Sequence, residues 1–339
     1  MTAELTPAHI FDLLLAYKNT AVLTAAIDLG VFDAIAAGAV TSFQVAKARE
    51  LDERGARILL NALSALGLLT WDDSVYGLAA GAEKFLVRGQ PGFVGDMAKV
   101  MASTWEWTAL ASLPDAVRCG GTVTEVNAET PGYDYWQDFA AYASAVAAPT
   151  ARLMADVLGS WAQHRDRLDV LDLACGHGLY GYTLAQRQPQ ARIWSLDWPN
   201  VLPVALSHAR QLGVEDRVST IGGDMFSADL GGPYDVVMIT NVLHHFSEER
   251  ATQLLQRAAR VMADDSRIVL VGFTTSDVPP AAEASAHLFS ILMLIWTHEG
   301  EVHSARAYER MLADAGFSDV ELHPVPGLPL RVIVGRQAG

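Results

Sequence analysis

Residues 170 to 179 read Val-Leu-Asp-Leu-Ala-Cys-Gly-His-Gly-Leu, and residues 195 to 198 read Ser-Leu-Asp-Trp. An apolar strand runs into a glycine loop. A second apolar strand then ends on an acid, Asp197, 25 residues after Asp172. Few folds suit that order. In an open α/β sheet, glycines let the backbone approach a ligand beyond a strand end, and the acid after the next strand accepts hydrogen bonds from ribose hydroxyls. The pattern points to a nucleoside cofactor and leaves open which one.

The surrounding sequence extends that sheet. Strand-like apolar runs at 168–173, 191–196, 217–221, 234–240 and 267–273 alternate with helical patterns such as 250–262. Such alternation predicts a parallel, doubly wound, Rossmann-like sheet with its ligand beyond the carboxyl ends of the strands. Residues 8–100 read differently. Helical patterns at 9–15, 20–27 and 30–36 precede a capped start at Thr41 and an amphipathic helix over 52–66. A hairpin over 67–78 follows, turning at Asp-Asp-Ser. Helix, helix, hairpin is a winged-helix order. Between the two lies a stretch rich in aromatics, Trp105, Trp107, Tyr133, Tyr135, Trp136, Phe139 and Tyr142, with helices expected over 105–117 and 135–158. The expected organisation is a winged-helix-like dimerisation domain over 1–100, a helical connector contributing to a substrate pocket over 101–160, and a cofactor-binding domain over 161–339.

Composition excludes several classes of partner. The net charge is −15, and residues 1–100 hold eleven acidic against eight basic side chains, without a basic stripe. A winged helix that read DNA would need one, so no nucleic-acid partner is expected. No uninterrupted apolar run reaches the roughly 18 residues of a membrane span, and the amino-terminal residues lack the features of a signal peptide. Two cysteines, Cys119 and Cys175, make no disulfide framework, which fits a reducing cytoplasm.

The spacing of Gly176, Gly178 and Gly181 matches the dinucleotide pattern G-x-G-x-x-G. Asp172 argues against that reading, because an acid so near the loop suits a cationic ligand and repels pyrophosphate. S-adenosylmethionine has a sulfonium, an ammonium and no phosphate. Gly222-Gly-Asp-Met-Phe226 follows the third strand. There Asp224 is placed to accept from an adenine amino group, and Met225 and Phe226 to pack on the ring.

On these residues, with Asn-Val-Leu-His-His-Phe246 and Met-Leu-Ala-Asp-Ala-Gly-Phe317, residues 165–336 resemble the class I S-adenosylmethionine-dependent methyltransferases. The whole chain is similar to the small-molecule O-methyltransferases that carry an amino-terminal winged-helix dimerisation domain. The resemblance implies methyl transfer to a hydroxyl of a small, aromatic specialised metabolite by a homodimer. It places the ribose on Asp197, the adenine on Asp224, Met225 and Phe226, and the methionine moiety on the loop at 174–178. The cofactor candidates are Asp172, Ala174, Gly176, Gly178, Asp197, Trp198, Asp224, Met225, Phe226, Thr240 and Asn241.

The resemblance makes His244 the base that takes the proton from the acceptor hydroxyl. Imidazole has a reference pKa of about 6.5 and a phenol about 10, so proton loss must be coupled to attack on the methyl group. The acids that orient such a histidine in the family align here with Gly272 and Val302, and a frequent lysine with Thr240. Acceptor-side candidates are Trp105, Tyr142, His245, Phe289, Met293, Trp296 and His298. Two alternatives follow from the missing acids. One is carbon methylation of an enolisable keto acid or phenol, with a metal held by His244 or His245, His298 and Glu299. The other is a member of the fold that has lost methyl transfer.

Overall fold

The computed structural model describes residues 4–337, which divide into two compact units between Thr104 and Trp105. The first unit contains helices Pro7–Leu15, Tyr17–Asp28, Val31–Ala36, Ser42–Arg49 and Glu53–Ala65, then the hairpin β1 (Leu69–Asp72) and β2 (Val75–Leu78). The helix at Ser42 begins where the sequence marks it. The Thr41 hydroxyl accepts from Gln44 N and the Gln44 side chain accepts from Thr41 N, which satisfies two otherwise unpaired donors. Asp73 and Ser74 carry the hairpin turn in the left-handed region, with φ of 43° and 68°, matching the twist of the strands they join.

Phe32, Leu60, Leu63, Leu69 and Tyr76 form the core of this unit. Helix Pro7–Leu15 contributes nothing to it: Ile10, Phe11, Leu13, Leu14 and Leu15 are all exposed. Taken together, Pro7–Asp28 are long and apolar enough to cross a membrane by length and composition, although no such run was expected. The stretch includes Asp12, Lys18 and Asp28. Its exposed residues form an apolar patch of the kind that marks an interaction surface.

The second unit is the expected α/β sheet. Strands β3 (Leu168–Leu173), β4 (Ala191–Asp197), β5 (Val218–Gly222), β6 (Tyr234–Thr240), β7 (Met262–Phe273), β8 (Phe317–Pro324) and β9 (Leu330–Gln337) stand in the order β5-β4-β3-β6-β7-β9-β8. β9 runs antiparallel to β7 and β8, and the other pairings in the sheet are parallel. The chain winds outward from β3 through β4 to β5 and returns to place β6 on the other side of β3, so the direction of winding reverses between β3 and β6. A crevice opens at such a reversal. Strand β3 is buried on both faces: Val170 packs with Tyr180 and Tyr182 on one side, Leu171 and Leu173 with Leu254 and Leu255 on the other. This two-sided burial explains why Leu168, Val170, Leu171 and Leu173 are apolar without strict alternation.

Two expected helices are each divided. The one over 105–117 becomes Thr104–Ala111 and Leu113–Cys119, because Pro114 has no N–H to continue the first. The one over 135–158 becomes Tyr135–Tyr142 and Ser144–Ala162. The helix expected over 250–262 spans Glu248–Ala259, and Met262 already belongs to β7. Residues 105–160 pack as part of the second unit. Thr122 N donates to Thr297 O at 2.8 Å and Ala128 N to Trp296 O at 3.0 Å, which brings the aromatic stretch against the sheet domain.

Leu171 is fully buried in β3. Leu171→Ala is expected to lower the unfolding free energy by about 2–5 kcal/mol, read as a lower urea midpoint with an unchanged slope.

Candidate active site

A cavity lies at the winding reversal. Ala174, Cys175, Gly176 and His177 line it from the end of β3, Asp197 and Trp198 from β4, Asp224, Met225 and Phe226 from beyond β5, and Thr240, Asn241 and Val242 from β6. Tyr180, His245, Phe246 and Arg250 add to its wall, as do Glu129, Pro131, Trp136 and Phe139 of the aromatic stretch.

The glycine loop is held from within. Gly176 takes φ of 54°, and its N–H donates to Asp197 Oδ2 at 2.7 Å. The Trp198 N–H donates to Asp197 Oδ1, also at 2.7 Å. Cys175 N donates to Leu196 O, Gly178 N to Cys175 O and Leu179 N to the His177 ring. Four N–H groups of the loop and helix start are therefore already paired. A phosphate site needs such groups free, so this loop is built for a ligand without phosphate. Gly178 is required for a different reason: a side chain there would run into Tyr182, with a Cβ only 2.2 Å from its ring. Ala174 and Asn241, both at strand ends and both in the cavity wall, take left-handed φ of 55° and 57°. Side chains rarely adopt that conformation, and such strain clusters at functional sites.

Asp172 sits elsewhere than its sequence position suggests. Strand alternation turns it inward, beneath the helix Leu179–Arg187, where it is fully buried and absent from the cavity wall. The backbone N–H of Gly181, on that helix, is the one hydrogen-bonding group set against its carboxylate, and it offsets only part of the burial. Burial, reinforced by the charge of Asp197, pushes its pKa up to about 7. Burial likewise pushes Asp197 up to about 6, against its two backbone hydrogen bonds. An acid so sparsely paired inside a core is costly to keep ionised, and a cation bound above the loop would lower that cost.

The adjacent histidines face opposite ways. His245 lines the cavity and stacks on Trp136, with ring centroids 5.3 Å apart. His244 lies outside the wall, edge-on to Phe289 at 5.0 Å and to Phe273 at 6.1 Å. Burial lowers both pKa values, that of His245 to about 4 and that of His244 well below its ordinary value, the latter also through His245 and His303. Both rings are therefore neutral. Gly272 does stand beside His244, since a Cβ there would lie 3.8 Å from its Nδ1.

Of the other acceptor-side candidates, Phe289 adjoins His244, whereas Met293 and Trp296 are buried on the same helix, Ala284–Trp296. Trp296 packs edge-on against Tyr135 at 4.7 Å. Trp105 is largely exposed against Tyr133, and Tyr142 is half-buried. None of these five, nor His298, lines the cavity. His298 instead turns to Glu129, whose Oε1 accepts from its backbone N at 2.8 Å and lies 3.0 Å from its ring Nδ1. Among the described residues, no group of three or more His, Cys, Asp or Glu is placed to hold a metal.

Several wall residues were not anticipated. Arg250 lies over the rings of Phe226 and Phe246 at 4.8 and 5.0 Å and donates to Glu129 at 2.9 Å. Burial pushes the Glu129 carboxyl up, but His298 and Arg250 outweigh it and hold the carboxyl below its ordinary value. Tyr180 accepts from the Asn241 side chain at 3.0 Å. Glu129 and Arg250 meet from segments far apart in sequence, so no local spacing marks them.

A reversal-point cavity with an internally paired glycine loop and an acid at the next strand end defines an α/β protein built around a nucleoside without phosphate. Comparison with known proteins identifies the family. The O-methyltransferase domain family matches residues 139–318, and the O-methyltransferase dimerisation domain matches residues 11–88. The chain belongs to the O-methyltransferase family. It is 28% identical to the tetracenomycin polyketide synthesis 8-O-methyl transferase of Streptomyces glaucescens, over 98% of this chain and 97% of that protein. A crystal structure of a putative O-methyltransferase from Nostoc punctiforme superposes with a TM-score of 0.91 at 34% identity, covering 98% of this chain and all of that one. Human N-acetylserotonin methyltransferase, solved in complex with S-adenosylmethionine, shares the fold at 23% identity and a TM-score of 0.84, covering the full length of both chains.

The folded protein holds the Asp172 proton more tightly than the unfolded chain does, so ionised Asp172 opposes folding. That opposition grows as pH rises from 3.8 to about 7 and is complete above it. Asp172→Asn is expected to stabilise the ligand-free protein more at pH 8 than at pH 5, measured by urea unfolding at both.

Proposed function

We propose that this protein transfers a methyl group from S-adenosylmethionine to a hydroxyl of a small aromatic molecule. The observation that carries the reading is the Asp197 clamp on the glycine loop. It spends the loop's Gly176 N–H internally and leaves the carboxylate at the cavity wall. In this reading Asp197 accepts from the ribose hydroxyls. Asp224, Met225 and Phe226 hold the adenine, while Ala174 and Gly176 border the methionine moiety. Trp198, Thr240 and Asn241 complete the wall, and Asp172 favours the cationic ligand from beneath the loop. S-adenosylmethionine, when bound, supplies an activated methyl group for in-line displacement.

On the acceptor side, Trp136 and Phe139 offer flat apolar surface to an aromatic ring. His244, neutral and beside Phe289, takes the proton of the acceptor hydroxyl. Its low basicity means that proton transfer accompanies the attack instead of preceding it. The name of the Streptomyces relative, which ties it to polyketide synthesis, supports acceptors of specialised metabolism. The exposed apolar helix Pro7–Leu15, within and beside the matched dimerisation domain, supports a homodimer.

Calorimetry is expected to show binding of both S-adenosylmethionine and S-adenosylhomocysteine, weakened at least about tenfold, or about 1.4 kcal/mol, by Asp197→Ala. No binding to the wild type would sink the reading. A cell extract supplied with labelled methyl donor and analysed by mass spectrometry identifies the acceptor. With that acceptor, His244→Ala is expected to lower kcat and leave cofactor affinity unchanged. Sedimentation is expected to give a dimer for the wild type and a monomer for a Leu14→Asp variant.

A further inference from the structure

The His244 imidazole has one sealed nitrogen. Its Nδ1 is buried and without a hydrogen-bond partner, and Gly272 beside it has no side chain to supply one. A Cβ at Gly272 would lie 3.8 Å from His244 Nδ1 and 3.0 Å from the hydroxyl oxygen of Tyr308. Tyr308 thus occupies the space that an acidic side chain at 272 would need. It is 2% exposed, on the helix Ala305–Asp314, and burial pushes its pKa up, so the hydroxyl keeps its proton.

A second histidine packs against Tyr308. The His303 ring meets the tyrosine ring edge-on, with centroids 5.8 Å apart. His303 Nε2 lies 3.0 Å from the carbonyl oxygen of Phe246 and 3.3 Å from that of Leu243. Carbonyls only accept, so Nε2 carries the proton and Nδ1 is a bare lone pair. That Nδ1 is also buried and unpartnered. Two rings with orphaned nitrogens therefore adjoin Tyr308 without bonding to its hydroxyl as the structure stands, and a hydroxyl can donate to one partner while accepting from another.

We propose that Tyr308 is the positioning residue for His244, set by His303. The Leu243 and Phe246 carbonyls fix the tautomer of His303, and His303 Nδ1 accepts the Tyr308 proton. The Tyr308 oxygen then accepts from His244 Nδ1–H through one bridging water. His244 is left with its lone pair on Nε2, the nitrogen a base must present. The relay carries no charge, and in this it differs from an orienting carboxylate: it sets the tautomer without raising the basicity of the ring. The inference rests on the reading of His244 as the base.

The test is nitrogen NMR of the full-length protein labelled with 15N-histidine and saturated with S-adenosylhomocysteine, with His244→Gln identifying the His244 signals. The wild type is expected to show His244 protonated on Nδ1, and Tyr308→Phe to shift it toward the Nε2 tautomer. Tyr308→Phe is also expected to lower kcat about tenfold with the KM for S-adenosylmethionine unchanged. Adding Gly272→Asp to Tyr308→Phe, where the hydroxyl no longer blocks the new side chain, is expected to restore the Nδ1 tautomer and raise the pKa of His244. A wild-type His244 protonated on Nε2 would overturn the proposal, whatever the variants do. So would a Tyr308→Phe protein with an unchanged tautomer and unchanged kcat. A His244→Ala enzyme with full turnover would instead remove the base reading, independently of the tautomer result.

Discussion

The pairing of Asp197 with two backbone N–H groups organises the cofactor end of this molecule. The carboxylate at the end of β4 reaches across to Gly176 in the loop after β3 and also holds Trp198. One side chain thereby ties two neighbouring strand ends together and determines which donors remain for a ligand. The left-handed backbone at Gly176 and Ala174 lets the loop meet that carboxylate. Strand alternation sets Asp172 beneath the loop, where a second buried carboxyl raises the energy of the empty state. A site that is uncomfortable when empty gains more on binding a ligand of the right charge.

The fold was largely legible from sequence because the signals behind it are local. Period, glycine position and strand-end acids all lie within a few residues of one another around 170–178, 195–198 and 222–226. Thr41 with Gln44, and Asp73 with Ser74, likewise announce a cap and a turn through neighbours. The site was legible along the same strands and obscure elsewhere. Asp172 belongs to the right motif, but its side-chain direction depends on strand parity and on the helix above it. Glu129 and Arg250 are joined by a contact spanning 121 residues, and His298 left the acceptor list because Glu129 holds it. Such meetings are properties of the folded packing alone.

The neighbouring histidines show how closely spaced residues separate in role. One turn of 3₁₀ helix, Leu243–His245, sends His245 to the cavity against Trp136 and His244 toward Phe289. Identical side chains thus receive different surroundings from a change of one position. The aromatic stretch completes the arrangement on the cavity side, where Trp136 also donates to Ala128 O at 3.0 Å and so stiffens the segment that carries Glu129.

The position of β9 bears on how the molecule is made. It follows every other strand in chain order, yet it lies inside the sheet, paired with β7 on one side and β8 on the other. During synthesis, β3 through β7 can assemble while β8 has no neighbour to pair with, and the β7 edge stays open until residues 330–337 emerge. A nascent chain halted before that point exposes an unpaired edge of Val269, Leu270 and Val271, a template for association with other chains. Completion of this sheet therefore waits on β9, and the interval before it is when the open β7 edge is most prone to association.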